Sequence, residues 1–270
     1  MRPAAIPPEA IPDMRRSILR RTVKDLIADK LARLVATGVL SVGDELPGER
    51  ELSSILSVSR ETIRGAIQTL AARGIVDVSH GSRTRVARAD VGPLRNGIAV
   101  TGTIDTYDLE AVHAARLLVE RAVVADAAER ICVETLHRLD ASLAAQRAML
   151  RDPVRFLICD REFHVAIYRS AGNPLLGDFV IDLYTYMMEF RRVAVSRPGA
   201  IRKSYEDHAE IVAALHARDA AAVIAAFERH INRIYTTTKS LIRREAVEDR
   251  RQPGPRAREP AAAMRSPSDN

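Results

Sequence analysis

Residues 46–86, LPGERELSSILSVSRETIRGAIQTLAARGIVDVSHGSRTRV, leave the chain little choice of local fold. Pro47-Gly48 closes what precedes, and Glu49, Leu52, Ile55 and Leu56 then recur at helical spacing. Ser57-Val58-Ser59 interrupts that helix. Ser59 is a natural N-cap for a second one, with Glu61 in its first turn where a negative charge suits the helix dipole. Ile63, Ala66, Ile67 and Leu70 make one apolar stripe, and Gly74 is a C-terminal stop. Ile75-Val76-Asp77-Val78 alternates as a strand, His80-Gly81 supplies a turn, and Thr84-Arg85-Val86 returns. Two helices across a tight turn, then a hairpin wing, predict a winged helix-turn-helix.

The second helix carries chemistry suited to a DNA groove. Arg60, Thr62 and Arg64 lie in its first two turns, on or beside the face opposite the apolar stripe. The N-terminal end of a recognition helix reaches base edges, and arginine is the usual reader of guanine N7 and O6. Arg50 is placed for a phosphate or a neighbouring base, and His80 and Gly81 for a minor groove, glycine allowing close backbone approach. The plainer alternative is a solvated charged face; cap, turn and wing within one segment weigh against it. The run Pro47-Gly48-Glu49-Arg50-Glu51-Leu52, then Val58-Ser59-Arg60, Arg64, Leu70 and Gly74-Ile75-Val76, resembles the DNA-binding domain of GntR-type bacterial transcription regulators. The His80-Gly81-Ser82-Arg83-Thr84 wing is similar to that of the fatty-acid-responsive (FadR) branch. That resemblance implies DNA contacts from Arg50, Arg60, Thr62, Arg64, His80 and Gly81, with Ser59 at the cap. Gly48, Glu61 and Gly65 depart from the usual residues of the family, which bears on the operator sequence rather than on the fold.

The rest of the chain is organised around a different composition. The net charge of +6 lies at the two ends: residues 1–90 hold 15 Lys+Arg against 11 Asp+Glu, whereas 91–241 hold 19 of each. A basic module joined to a neutral one is the expected reading. Only Cys132 and Cys159 occur, too few for a disulfide framework, which points to a reducing cytoplasm. The proline-rich start lacks the apolar core of a signal peptide, and no apolar run approaches the ~20 residues of a membrane span. The expected organisation is a disordered 1–16, a DNA-binding domain at 17–87, a linker at 88–104, an all-helical domain at 105–244 and a disordered tail at 245–270. Helical segments are expected near 106–130, 134–150, 153–171, 174–195, 199–217 and 219–244. The fold class is thus mainly α, a winged helix-turn-helix followed by an antiparallel helical bundle.

Within that bundle, Asp160 and His164 are four apart and share a helix face. His208 and His230 each lie about eleven residues from the turn near Arg218-Asp219, so two antiparallel helices would carry them about 16 Å from it, at one level. Three imidazoles and a carboxylate at one point suit Zn²⁺, Ni²⁺, Mn²⁺ or Fe²⁺. Spacing alone leaves open that each is simply a partly buried polar residue. Asp160-Arg161-Glu162-Phe163-His164, with Ala171-Gly172-Asn173-Pro174-Leu175-Leu176 and His208-Ala209-Glu210-Ile211, resembles the FCD-type ligand-binding domain of FadR-branch regulators. Its metal-binding members use one Asp and three His at these spacings, which implies Asp160, His164, His208 and His230 as ligands, with zinc first among the ions. The fatty-acyl-binding namesake lacks such a site, so the chain resembles it in the wing and the metal-binding relatives in the pocket.

Arg116 sits among Ala114, Ala115, Leu117, Leu118 and Val119, an apolar setting for a guanidinium. An i,i+4 salt bridge to Glu120 is one reading; the resemblance implies another, a grip on the carboxylate of a metal-held effector. His113, His137 and His216 have no partner pattern and read as surface or incidental. Three functions then compete. The first is a metabolite-responsive transcription regulator, a homodimer on a pseudo-palindromic duplex, switched by a small carboxylate. The second is a constitutive DNA-binding protein with a structural metal, which leaves Arg116 unexplained. The third is a metalloenzyme with a DNA-binding appendage, for which no spare general base stands out by spacing. The first is the expectation, and with it a cytoplasmic protein that is no enzyme and has no membrane partner.

Overall fold

The computed structural model describes residues 22–78, 83–91 and 107–251, with side chains to residue 240. Helix α1 (Val23–Ala36) begins on a capping box: the Thr22 hydroxyl accepts the Asp25 N–H, and the Asp25 carboxylate accepts the Thr22 N–H. Helix α2 (Glu49–Leu56) starts at Gly48, which offers no side-chain cap. Helix α3 (Arg60–Ala72) starts at Ser59, whose Oγ accepts the Thr62 N–H at 3.1 Å. Helix α1 packs across α3, burying Ile27, Leu31 and Leu34 with Ile63, Ile67 and Leu70. Gly74, at φ +68°, turns the chain out of α3 in a conformation that side-chain-bearing residues resist. Strands β1 (Val76–Asp77) and β2 (Arg85–Val86) then pair antiparallel, Val76 opposite Val86 and Asp77 opposite Arg85. The wing tip, with His80 and Gly81, lies outside the described residues, as do 1–21, 92–106 and 252–270.

The second unit is helical throughout its described residues: α4 (Leu109–Arg130), α5 (Val133–Ala148), α6 (Pro153–Tyr168), α7 (Pro174–Tyr186), α8 (Met188–Val195), α9 (Ala200–His216) and α10 (Ala220–Arg251). Asp108, Asp152 and Asn173 cap α4, α6 and α7 through their side chains, and Pro153 and Pro174 occupy first helical positions, where a missing N–H costs nothing. From α5 onward each helix lies against the next, and α10 closes the bundle against α4 and α9. At Gly177 a Cβ would come within 3.0 Å of the Tyr168 carbonyl, so glycine lets α7 lie close on the end of α6.

Two boundaries differ from the sequence expectation. The single helix expected over 174–195 breaks at Met187, where the N–H reaches Leu183 O at only 3.4 Å. No glycine or proline marks the break. It allows α8 to turn Met188, Arg191, Ala194 and Val195 inward on one face. Helix α10 continues to Arg251, through part of the expected disordered tail. Residues 245–251, EAVEDRR, are mostly good helix formers, and the first proline comes at 253.

The two units share a continuous apolar core and several polar ties. Buried Met188 of α8 lies against Gly38. Arg192 donates to Val39 O at 2.9 Å and pairs with Asp44 at 2.8 Å. Arg155 of α6 grips Glu51 of α2 through two bonds of 2.8 and 3.0 Å, and Lys30 pairs with Glu162 at 3.0 Å. No helix among the described residues is long and apolar enough to cross a membrane.

Candidate metal centre

Helix periodicity puts Asp160 and His164 one turn apart on the inner face of α6. The short α9–α10 connection brings His208 and His230 level with each other, their ring centroids 4.8 Å apart. All four residues are fully buried, and one ligand atom from each lies within 4.8 Å of the others. Asp160 Oδ1 is 3.4 Å from His208 Nε2 and 3.8 Å from His164 Nε2. An ion bound at about 2.0–2.2 Å from each needs the widest of these separations to close by a few tenths of an ångström.

The outer atoms of these residues are all engaged. His208 Nδ1 lies 2.7 Å from Gln146 Oε1 and His230 Nδ1 lies 2.8 Å from Asp207 Oδ2. Tyr168 donates its hydroxyl hydrogen to Glu120, so its oxygen accepts from His164 Nδ1 at 3.2 Å. Asp160 Oδ2 accepts from Tyr184 Oη at 2.5 Å and from Arg191 Nη2 at 2.6 Å. The inner atoms are not: Asp160 Oδ1 and the Nε2 of His164, His208 and His230 are buried without a hydrogen-bond partner. Four adjacent orphaned acceptors or donors would cost several kcal/mol in an interior, unless something is held between them. Each Nδ1 bond fixes the ring orientation and turns Nε2 inward, the usual outer-shell support of a metal-ligating histidine.

Electrostatics agree with a ligand role. Burial holds the His164 and His208 imidazoles well below their ordinary pKa and pushes His230 down to about 3, so all three are neutral at pH 7 with a lone pair to give. Burial alone would raise the Asp160 carboxyl, but the Arg191 guanidinium and the hydrogen bond from Tyr184 oppose it, and the carboxyl stays below its ordinary value and ionised. Three neutral imidazoles and one carboxylate fit a divalent transition metal.

Arg116 is 2% exposed and bonded to Glu120 at 2.8 Å through Nε and 3.4 Å through Nη2. The i,i+4 pair is therefore present, but buried. Through Glu120 and Tyr168 it also ends on His164, which ties Arg116 to the buried Asp160/His cluster. His113, read from sequence as surface or incidental, is instead buried, stacked on Tyr235 at 3.9 Å and bonded to Asn232 at 2.9 Å. Its partners lie on α10, too far along the chain for a spacing rule to find. His216 pairs with Asp140 in an exposed contact. Sequence reasoning missed Gln146, Asp207, Tyr168, Tyr184 and above all Arg191. Only Tyr168 left a trace, four residues after His164 on the same face.

The other predicted residues stand far from this centre, at the exposed start of the helix-turn-helix. Arg50, Ser59, Arg60 and Arg64 are exposed and Thr62 half-buried. Ser59 Oγ and Thr62 Oγ1 are 2.8 Å apart, and Arg64 reaches the Glu49 carboxylate at 3.2 Å.

Residues 23–86 match the family described as bacterial regulatory proteins, gntR family, and residues 111–233 match the FCD domain. The HTH-type transcriptional repressor NanR of Cronobacter sakazakii is 29% identical over 233 residues, 84% of this chain and 89% of that protein. The protein of the same name from Salmonella typhimurium is 26% identical over 232 residues, covering 84% and 88%. Among solved structures, E. coli McbR/YncC aligns with a TM-score of 0.51 at 19% identity, over 82% of this chain and 99% of that one, a likeness of fold.

Proposed function

The chain belongs to the GntR family of bacterial transcription regulators, with an FCD domain behind its winged helix-turn-helix, and on that footing we propose how its DNA binding is controlled. It is a metabolite-responsive DNA-binding regulator, not an enzyme. The proposed switch is a small organic acid held at a divalent metal by residues 105–244, acting on residues 17–87 of a cytoplasmic homodimer. The observation that carries this reading is the set of four buried, unpartnered ligand atoms on Asp160, His164, His208 and His230. Zinc is the ion we favour, with nickel, manganese or iron as alternatives for the same donors. Such an ion would supply open coordination positions for a carboxylate, and Arg116 is assigned to hold the effector's charge by exchanging Glu120 for it.

On the DNA side, Arg60, Thr62 and Arg64 read base edges in the major groove while Ser59 caps the helix and Arg50 meets the backbone. Arg64 exchanges Glu49 for the duplex. His80 and Gly81 are assigned to the minor groove. A two-fold dimer then matches a pseudo-palindromic operator. The relatives named above are repressors, and repression is the mode carried over to this chain.

Helix α8 is the proposed link between the two functions. Arg191 bonds Asp160 on the inner side, and Arg192 bonds Val39 O and Asp44 of the DNA-binding unit. A ligand that moves Arg191 moves its neighbour, and the break at Met187 gives α8 a place to pivot. The effector shifts the equilibrium only by its differential affinity for the two positions. The test is a fluorescence-anisotropy titration of an in-vitro-selected operator against a panel of carboxylates, with and without chelator. At least one acid should change operator affinity, and chelation should abolish that response. Indifference to every acid, or a response that survives chelation, defeats the proposal.

A further inference from the structure

A cavity of about 430 Å³ opens between α8, the start of α9 and α10, and its chemistry is one-sided. Its lining includes Arg191, Arg197, Arg202, Lys203 and Arg233, and no carboxylate. Lys203 and Arg233 have acidic partners in Glu206 and Asp207. Arg197 and Arg202 are exposed and have none among the described residues. The first turn of α9 also lines the cavity, and its cap, Gly199, contributes no side-chain bond, so the positive end of that helix faces the same space.

Arg191 is the second, independent observation. It is 2% exposed and lines the cavity, yet only Nη2 is used, on Asp160; Nε and Nη1 are buried without partners. A buried guanidinium with two idle donor groups is a poor structural element and a good anion receptor. The cavity also adjoins the metal-facing cluster. Ser204 in its wall precedes His208 by one turn of α9, about 6 Å, and Ile234 follows His230 by one turn of α10.

We propose that this cavity is an anion-binding site and that the effector is a polyanion, with one acidic group at the Asp160/His cluster and a second among Arg197, Arg202 and Arg191. The second half of this statement rests on the metal-held effector described above; the first does not. A monoanion satisfies only one end. A dicarboxylate, aldaric acid or phosphorylated acid of matching length satisfies both, with Arg191 bridging them.

Two calorimetric titrations on the full-length protein separate the two halves. Inorganic phosphate added to metal-free protein reads the cavity alone. It should bind, and Arg197→Ala/Arg202→Ala, both exposed positions, should weaken it at least tenfold with no change in thermal midpoint. Absence of phosphate binding, or binding indifferent to the double substitution, overturns the site whatever the metal does. Straight-chain mono- and dicarboxylates of two to six carbons added to metal-loaded protein then read the bridge. The best dicarboxylate should bind at least tenfold more tightly than any monocarboxylate, and the double variant should erase that advantage while leaving monocarboxylate binding unchanged. Equal affinity for the two classes overturns the polyanion assignment and leaves the metal-held acid standing. If phosphate binds but neither class of carboxylate does, the metal-held effector falls and the polyanion assignment with it, while the anion site stands.

Discussion

The winged helix-turn-helix and the helical bundle handle their charged residues in opposite ways. In the first, Arg50, Arg60 and Arg64 stand exposed on a small apolar core to which they contribute nothing. In the second, Arg116, Glu120, Asp160, Arg191 and the three clustered histidines are built into the core itself. A surface charge can be exchanged at almost no cost in stability, whereas removing one partner of a buried pair strands the other. Recognition and folding are therefore separable in the N-terminal unit and inseparable in the bundle.

The sharpest way to break that contrast is Asp160→Ala. It removes a proposed metal ligand and leaves the buried Arg191 guanidinium without its one hydrogen-bond partner among the described residues, the face of Tyr184 alone remaining. A loss of about 3–5 kcal/mol is expected, a fall of roughly 10 °C in thermal midpoint, together with loss of bound metal. An unchanged midpoint would put the buried network outside the determinants of stability. Arg60→Ala is the converse. Operator affinity should fall by about 1–3 kcal/mol, a factor of roughly 5 to 150, with stability unchanged within about 0.5 kcal/mol. If Arg60→Ala bound operator normally, α3 would not be the recognition helix.

The junction between the units is where the contrast is bridged, and smaller effects are expected there. Arg192→Ala removes the bonds to Val39 O and Asp44 but touches neither proposed site. Metal and operator should each still bind, while the coupling between effector and operator weakens by about 0.5–2 kcal/mol. Full coupling in that variant would exclude α8 as the link. The Arg155–Glu51 pair is the mildest case. Its hydrogen bonds from Arg155 hold the Glu51 carboxyl below its ordinary value of 4.5. Because the folded-state value is the lower one, the pair's contribution is complete above about pH 4.5 and is lost as pH falls through the folded-state value. Hydrogen exchange in α2 should accelerate on acidification from pH 6 to 4 relative to that of α5, and Glu51→Gln should remove the difference.

Local rules made much of this molecule legible before any coordinates. Ser59 as a cap and Gly74 as a stop both follow from backbone chemistry that acts over four residues. That Asp160, His164, His208 and His230 could meet was within reach for a similar reason, one helical turn relating Asp160 to His164 and a hairpin's symmetry His208 to His230; spacing alone left them readable as partly buried polar residues, and the family resemblance carried the metal reading. What escaped is set by packing across distant segments. Nothing in the neighbouring pair Arg191-Arg192 says that one turns to Asp160 and the other to Val39. The break at Met187, which decides that, has no glycine or proline to announce it. His113 was misread because its partners, Asn232 and Tyr235, lie on the last helix. Gln146 and Tyr184 support the cluster from two further helices, where no spacing rule connects them to it.

Metal analysis of the protein purified without chelator tests the central claim most directly, run beside His164→Ala. One transition-metal ion per chain is expected in the parent protein and none in the variant. A parent chain that takes up no ion, or a variant that retains it in full, would contradict the assignment of Asp160, His164, His208 and His230.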